Sequence, residues 1–294
     1  MAIDAVAREQ EVPSPQPPEI EAGRLPLYYR ASHWVRSHLV AVFAIIALVY
    51  LFLPIAVVVL FSFNSVGANG RGSTAWQGFS TDAWTNICVD PNICRAVGTS
   101  LQIGLFATIG GVILGTLISF ALVRHRFRGR QTTNLTIFLP MATPEVVMGS
   151  SLLALFLNTQ IPLGFATVLI AHIMFTISFV VVTVKARLAV LDPRLEQAAM
   201  DLYADEKQTF RYVTLPLVAP GIAAAALLAF SLSFDDFIIT FFNKGPSVTT
   251  FPVYVWAAAA RGVPPQVNVI GSLMFFGALA LVVTAQLAGR VRRR

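Results

Sequence analysis

Long apolar runs, uninterrupted by Asp, Glu, Lys or Arg, divide the chain into six segments. They are Leu39 to Phe63, Ala96 to Val123, Gln131 to Leu157, Thr159 to Val184, Tyr212 to Asn243 and Gly262 to Gly289. The third is broken only by Glu145, the fifth only by Asp235 and Asp236. Each reaches or exceeds the roughly 20 residues a helix needs to cross a bilayer. The third and fourth are separated only by a tight turn at Asn158-Thr159-Gln160-Ile161-Pro162. The pattern predicts an all-α integral membrane protein with six transmembrane helices, at about 39–63, 97–123, 133–157, 162–184, 217–242 and 267–289.

Composition narrows the class. Of the 294 residues 56% are hydrophobic and only 12% are charged, about half the charged share of a soluble domain. That excludes a disordered chain, a collagen, a disulfide scaffold and an ordinary soluble enzyme. The net charge of +6 would suit nucleic acid if it formed a patch. Here the cations sit in clusters between apolar runs, which is the pattern of membrane topology. Seventeen of the 21 Lys and Arg residues fall in the N-terminal tail, the loops after spans two and four, and the C-terminal tail. The other four, Arg71, Arg95, Lys244 and Arg261, fall on the opposite side. This asymmetry places both termini in the cytoplasm of a multi-pass cell-membrane protein.

The first apolar run is too long for a signal-peptide core and follows a tail of 38 residues, so it reads as an uncleaved anchor. Within tail 1–38, Val12 to Pro18 is Pro-rich and expected to be disordered or polyproline-like. Tyr28, Tyr29 and Trp34 among arginines suit either a headgroup-level segment or an extended linker. Residues 290–294 form a short basic tail, and 39–289 the membrane domain.

The loop 185–216 has its own pattern. Asp192-Pro193 reads as a helix start. Leu195, Ala198, Ala199 and Leu202 then form one apolar stripe, with Glu196, Gln197, Met200 and Asp201 off it. The helix should end near Tyr203. Asp205 and Gln208 form a capping box, and Phe210, Val213 and Leu217 line a second stripe. Pro216 and Pro220 should limit or kink that second helix. Periodicity alone fits a surface hairpin packed on its own bundle or a docking element for a partner.

The wording of this loop is more specific. Gln197-Ala198-Ala199-Met200-Asp201-Leu202-Tyr203, followed by Val213-Thr214-Leu215-Pro216, resembles the EAA loop of ABC-importer permeases. Gln197 stands where that pattern has Glu, and Tyr203 where it has Gly. A left-handed Tyr203 would cost roughly 1–2 kcal/mol. The resemblance implies a type I ABC-importer permease fold. It also implies that Glu196, Gln197, Ala198, Ala199, Asp201, Tyr203, Phe210, Leu215 and Pro216 couple the chain to a cytoplasmic ATPase. The chain itself has no Gly-x-x-x-x-Gly-Lys-Ser/Thr loop for phosphates. No cofactor is therefore expected on it, and ATP and Mg are expected on the ATPase partner.

Three acids lie inside the apolar runs, where a charge costs about 2.5–3.5 kcal/mol on insertion scales. Glu145 follows Pro140 and Pro144, where the helix should break, and backbone breaks are tolerated at a cavity or inside protein. Asp235 and Asp236 are adjacent, so at most one should face a pathway directly. They read either as helix-to-helix hydrogen bonding or as a negative route or gate for a cation. Ser233 to Phe242, Thr249 to Tyr254, Arg261 to Asn268 and the Pro144-Glu145 segment resemble the spermidine/putrescine permease subfamily. This implies a non-catalytic transport subunit for polyamines. Its implied partners are a second permease, two copies of the ATPase, an extracytoplasmic solute-binding protein and the lipid bilayer. The alternatives are an ABC permease for another solute, and a gradient-driven cation carrier or channel that uses the same acids.

Cys88 and Cys94 fall in the outer loop between spans one and two, where a disulfide and two free thiols are the open readings. His33, His38, His125 and His172 are scattered and no grouping has zinc spacing, so no metal site is expected. Gly111 and Gly115 form a Gly-x-x-x-Gly for close helix packing.

Overall fold

The computed structural model describes residues 27–65, 75–260 and 262–291. It is helical almost throughout. The one β feature among the described residues is an isolated bridge between Asn64 and Phe79. By its contacts the chain divides into two units, Met1–Val57 and Val58–Arg294. The Pro-rich stretch and the basic residues 292–294 lie outside the described residues.

Helix α1 (Leu27–Phe61) starts twelve residues before the first predicted span, so part of the expected tail is helical. Its apolar side chains from Leu39 to Leu53 are exposed, as lipid-facing groups would be. A single turn, α2 (Asp82–Thr85), precedes α3 (Pro91–Arg124). Asp90 caps α3, its carboxylate accepting from the Asn92 N–H at 2.9 Å, with proline at the first helical position.

The third predicted span is not one helix. It is α4 (Arg130–Ala142) and α5 (Glu145–Asn158), bent by 106° at Thr143-Pro144. Pro144 lacks an N–H and forces Thr143 out of the helical region, and Thr143 is extended at ψ 132°. The described chain then has five helices long and apolar enough to cross a membrane, or six if the bent pair counts as one span. The turn at 158–162 is present, with Gln160 left-handed at φ 55°.

Helix α6 (Phe165–Val190) is the best buried of the set. It packs on α3, where the predicted glycine pair lets the backbones approach. A Cβ at Gly111 would sit 2.6 Å from Thr176 Oγ1, and one at Gly115 2.6 Å from Val180 Cγ1. Ser119 in α3 donates to the Val181 carbonyl across the same seam at 3.1 Å.

Helix α7 (Arg194–Asp201) begins at the predicted place, with the Asp192 carboxylate accepting from the Arg194 N–H at 2.9 Å. The chain turns and re-enters helix at α8 (Glu206–Thr209), closed by the Asp205/Gln208 capping box. A π-helical turn, Phe210–Thr214, leads directly into α9 (Leu215–Asp235). So the second loop helix is not a separate short element; it is the opening of span five, continuous from Glu206 to Asp235. Pro216 does not stop it. The π turn passes the Leu215 N–H back to the Phe210 carbonyl, which gives the proline ring room in the ladder.

Span five ends early, at Asp235 rather than near 242, and α10 (Ile238–Asn243) follows after a break. Helix α11 (Phe251–Ala259) and α12 (Pro265–Val291) complete the chain. Val180, Val184 and Leu188 of α6 pack with Val218, Ala225 and Ala229 of α9 as one core. Met148, Leu152 and Phe156 of α5 pack with Ala171 and Phe175 of α6 and Ile239 of α10 as another. Both helix breaks are thereby held against α6.

Candidate functional site

The break after α9 is built by Asp236. Its backbone is extended at ψ 127°. Its carboxylate turns back to the start of α10, accepting from the Thr240 N–H at 2.8 Å, the Ile239 N–H at 3.3 Å and the Thr240 hydroxyl at 3.0 Å. His172 of α6 closes the network. Its Nε2 lies 2.9 Å from Thr240 Oγ1 and 3.3 Å from Asp236 Oδ2, and its Nδ1 lies 2.7 Å from Ser233 Oγ. The Thr240 hydroxyl donates to Asp236, and the two ring nitrogens of His172 tie this pair to Ser233. All four side chains are buried.

The two adjacent acids therefore have different surroundings. Asp236 is consumed in holding the break, whereas Asp235 is exposed. Asp235 lines a cavity of about 500 Å³ whose other walls include Phe234, Phe237, Val255, Trp256 and Met274. The Phe237 and Trp256 rings lie 5.1 Å apart, centroid to centroid. The accessible wall of this cavity is almost wholly apolar and suits a methylene chain, with the exposed Asp235 as its one acidic lining residue. Glu145 is the first residue of α5, where the helix dipole favours an acid. It is exposed and within electrostatic reach of both aspartates. The structure thus brings Glu145, Asp235 and Asp236 to one region, at the junction of the two helix breaks.

His172 is not singled out by metal-ligand spacing, so the residue patterns do not mark it as part of the site. The signal was present: an imidazole alone in an apolar span has to find a buried partner.

The EAA-like loop lies at the opposite end of α9. Its apolar stripe faces outward: Leu195, Ala198 and Leu202 are exposed, so α7 is not a hairpin packed on its own bundle by that stripe. Gln197 and Asp201 are exposed, Ala199 is half-buried, and Leu215 and Pro216 are exposed at the start of α9. Phe210 packs edge-on against Phe120 of α3 at 5.4 Å. Tyr203 is left-handed at φ 63° and almost wholly exposed. It takes the position glycine usually holds in a Schellman end, with its own N–H bonded to the Met200 carbonyl and the Ala204 N–H to that of Ala199. Glu196 points inward. Its Oε1 accepts from Arg124 Nη2 at 2.7 Å and from the Thr214 hydroxyl at 2.8 Å.

At the other end of the molecule, Cys88 and Cys94 are joined in a disulfide next to the start of α3.

Residues 107–293 match the family described as Binding-protein-dependent transport system inner membrane component. The chain is 37% identical over 241 residues to the spermidine/putrescine transport system permease protein PotC of Escherichia coli (strain K12), covering 82% of this chain and 90% of that one. It is 36% identical over 255 residues to the putrescine transport system permease protein PotI of the same strain, covering 84% and 89%. Among solved structures, it superposes on a chain of a bacterial alginate ABC transporter in complex with alginate pentasaccharide-bound periplasmic protein. The TM-score is 0.63 at 16% identity, with 91% of this chain and 97% of that one covered. A chain of an amino acid ABC transporter gives a TM-score of 0.54 at 16% identity, covering 74% and 100%.

Proposed function

This chain belongs to the family of binding-protein-dependent transport system inner membrane components, and from that membership we propose that it forms half of the translocation pathway of an ATP-driven polyamine importer. It is a multi-pass membrane subunit of an ABC importer. On our reading its partners are a second permease, two copies of a cytoplasmic ATPase that bind ATP and Mg, and an extracytoplasmic solute-binding protein. Both termini and the EAA-like loop face the cytoplasm, as the distribution of Lys and Arg favours. The Cys88–Cys94 disulfide supports the same orientation, because such bonds persist in an oxidising compartment. The ATPase dimer closes on α7, the spans rock, and the solute passes from the binding protein between the two permeases.

The observation that favours the solute class is an exposed acid, Asp235, in the lining of an almost wholly apolar cavity. A polyamine is a row of ammonium groups spaced by methylenes. Asp235 offers the counter-charge, Phe237 and Trp256 offer ring faces, and Val255 and Met274 offer apolar wall. The relatives named for spermidine and putrescine point the same way. Glu145 extends the negative field along the route and raises the local concentration of a cation.

The test is uptake of labelled spermidine and putrescine in cells that lack this gene and any backup system. The wild-type gene should restore uptake only when its ATPase is present. Asp235→Asn should lower uptake about tenfold, the equivalent of one desolvated cation contact of roughly 1.4 kcal/mol. Unchanged uptake after deletion would remove the polyamine assignment. Uptake that persists without the ATPase would favour a gradient-driven carrier.

A further inference from the structure

The EAA-like helix α7 is attached to the spans in an unusual way. Its apolar stripe faces away from them. A cavity of about 410 Å³ opens between it and the ends of α3 and α9, lined by Phe120, Arg124, His125, Met200 and Phe210 among others. Close apolar packing between α7 and the ends of α3 and α9 is therefore interrupted by this gap. One polar cluster bridges it. A single oxygen, Glu196 Oε1, accepts from Arg124 Nη2 at 2.7 Å and from Thr214 Oγ1 at 2.8 Å. Arg124 is the last residue of α3 and Thr214 the last of the π turn that opens α9. The pair is about three-quarters shielded, with side-chain exposures of 21% and 24%. It is charge-assisted and short, unlike a surface ion pair that solvent dissolves.

We propose that Arg124, Glu196 and Thr214 form a latch that makes α7, α3 and α9 move as one body, with Glu196 as the positioning residue. The proposal rests on the importer reading and adds the route by which force leaves the coupling helix. Glu196 stands one place before Gln197, where the resemblance expects an acid. That neighbour is exposed to a partner while Glu196 is turned into its own subunit. Two neighbouring positions thus divide the work: 197 lies on the face a partner can touch, and 196 ties that face to two spans. The π turn contributes by delivering Thr214, buried at 4% exposure, to the same oxygen.

The experiment uses the complete transporter in liposomes, both permeases with the ATPase, and the purified solute-binding protein outside. The readout is the stimulation of ATP hydrolysis by the binding protein, a signal that has to cross the permease whatever the solute. Glu196→Gln keeps the shape and removes the charge. It should lower the stimulation at least fivefold, the scale of a site-to-site coupling energy, while the ATPase still co-purifies with the permease. The charge exchange Arg124→Glu with Glu196→Arg should restore at least half of the stimulation, and each single exchange should not. If the wild-type complex is not stimulated, the importer reading fails and the latch falls with it. If the wild type responds and Glu196→Gln responds equally, the latch alone is wrong. Loss of the ATPase from Glu196→Gln, without rescue by the charge exchange, would also overturn it, because the residue would then serve docking rather than transmission.

Discussion

At the scale of single residues, burial decides what a charge is for. Asp235 and Asp236 are identical in type and adjacent in sequence, yet one lines a cavity and the other holds a chain break. Asp236→Asn removes a carboxyl acceptor from two backbone N–H groups and a hydroxyl, at a cost of about 1–3 kcal/mol. Thermal melting of the purified protein in detergent should show a clear drop for Asp236→Asn and almost none for Asp235→Asn; equal drops would contradict the assignment of roles. Asp90 offers a pH test outside the spans. The Asn92 N–H, and secondarily the Tyr254 hydroxyl, hold its carboxyl below the ordinary value of 3.8. A carboxyl depressed in the fold adds stability at pH values above 3.8 that disappears as pH falls through its lower folded value. Asp90→Ala should therefore melt earlier than wild type at pH 7, by about 1 kcal/mol of lost cap, and the gap should close towards pH 3.

At the scale of elements, the most informative departures are at the ends of helices. Tyr203 occupies a left-handed position that costs a non-glycine residue roughly 1–2 kcal/mol. Tyr203→Gly should relieve that strain and slow hydrogen exchange of the α7 amides; faster exchange would mean that the exposed ring braces the turn. Such ends were only partly legible beforehand. The starts at Asp192 and Asp205 could be read because a cap is local chemistry between residues two or three apart. The break at Thr143-Pro144 was legible for the same reason, though not its 106° angle, which is set by α5 and α10 packing together on α6. The break at Asp236 was half legible: its cap on the Ile239 and Thr240 N–H groups is local, but the network is completed by His172, 64 positions earlier. The direction of the α7 stripe was hidden: periodicity gives a stripe but not what lies opposite it. Nor does any single residue announce the π turn, which exists because Pro216 is carried through the helix instead of ending it.

At the scale of the whole molecule, exposed apolar surface has two explanations, and position along the spans separates them. Leu39 to Leu53 of α1 are exposed along a stretch long enough to meet lipid. Leu195 at 47%, Leu202 at 82% and Tyr203 at 98% exposure are different, because α7 lies beyond the ends of α3 and α6, among Arg124, Arg187 and Arg194. Charged side chains at that level are costly in a hydrocarbon core, and a stripe left to water would lose the transfer energy of each leucine, about 2 kcal/mol. A protein partner is the remaining way to cover it. Leu202→Asp should then detach the ATPase from the membrane subunits on affinity purification. Burial of one such anchor at an interface, at 2 kcal/mol or more, corresponds to roughly thirtyfold in affinity. Its melting temperature without the ATPase should stay at the wild-type value, since the side chain makes few contacts within its own chain. This separates the outer face of α7 from the inner one: an outer-face variant loses the partner, whereas Glu196→Gln keeps the partner and loses the signal. Retention of the ATPase by Leu202→Asp would show that the stripe is not the contact.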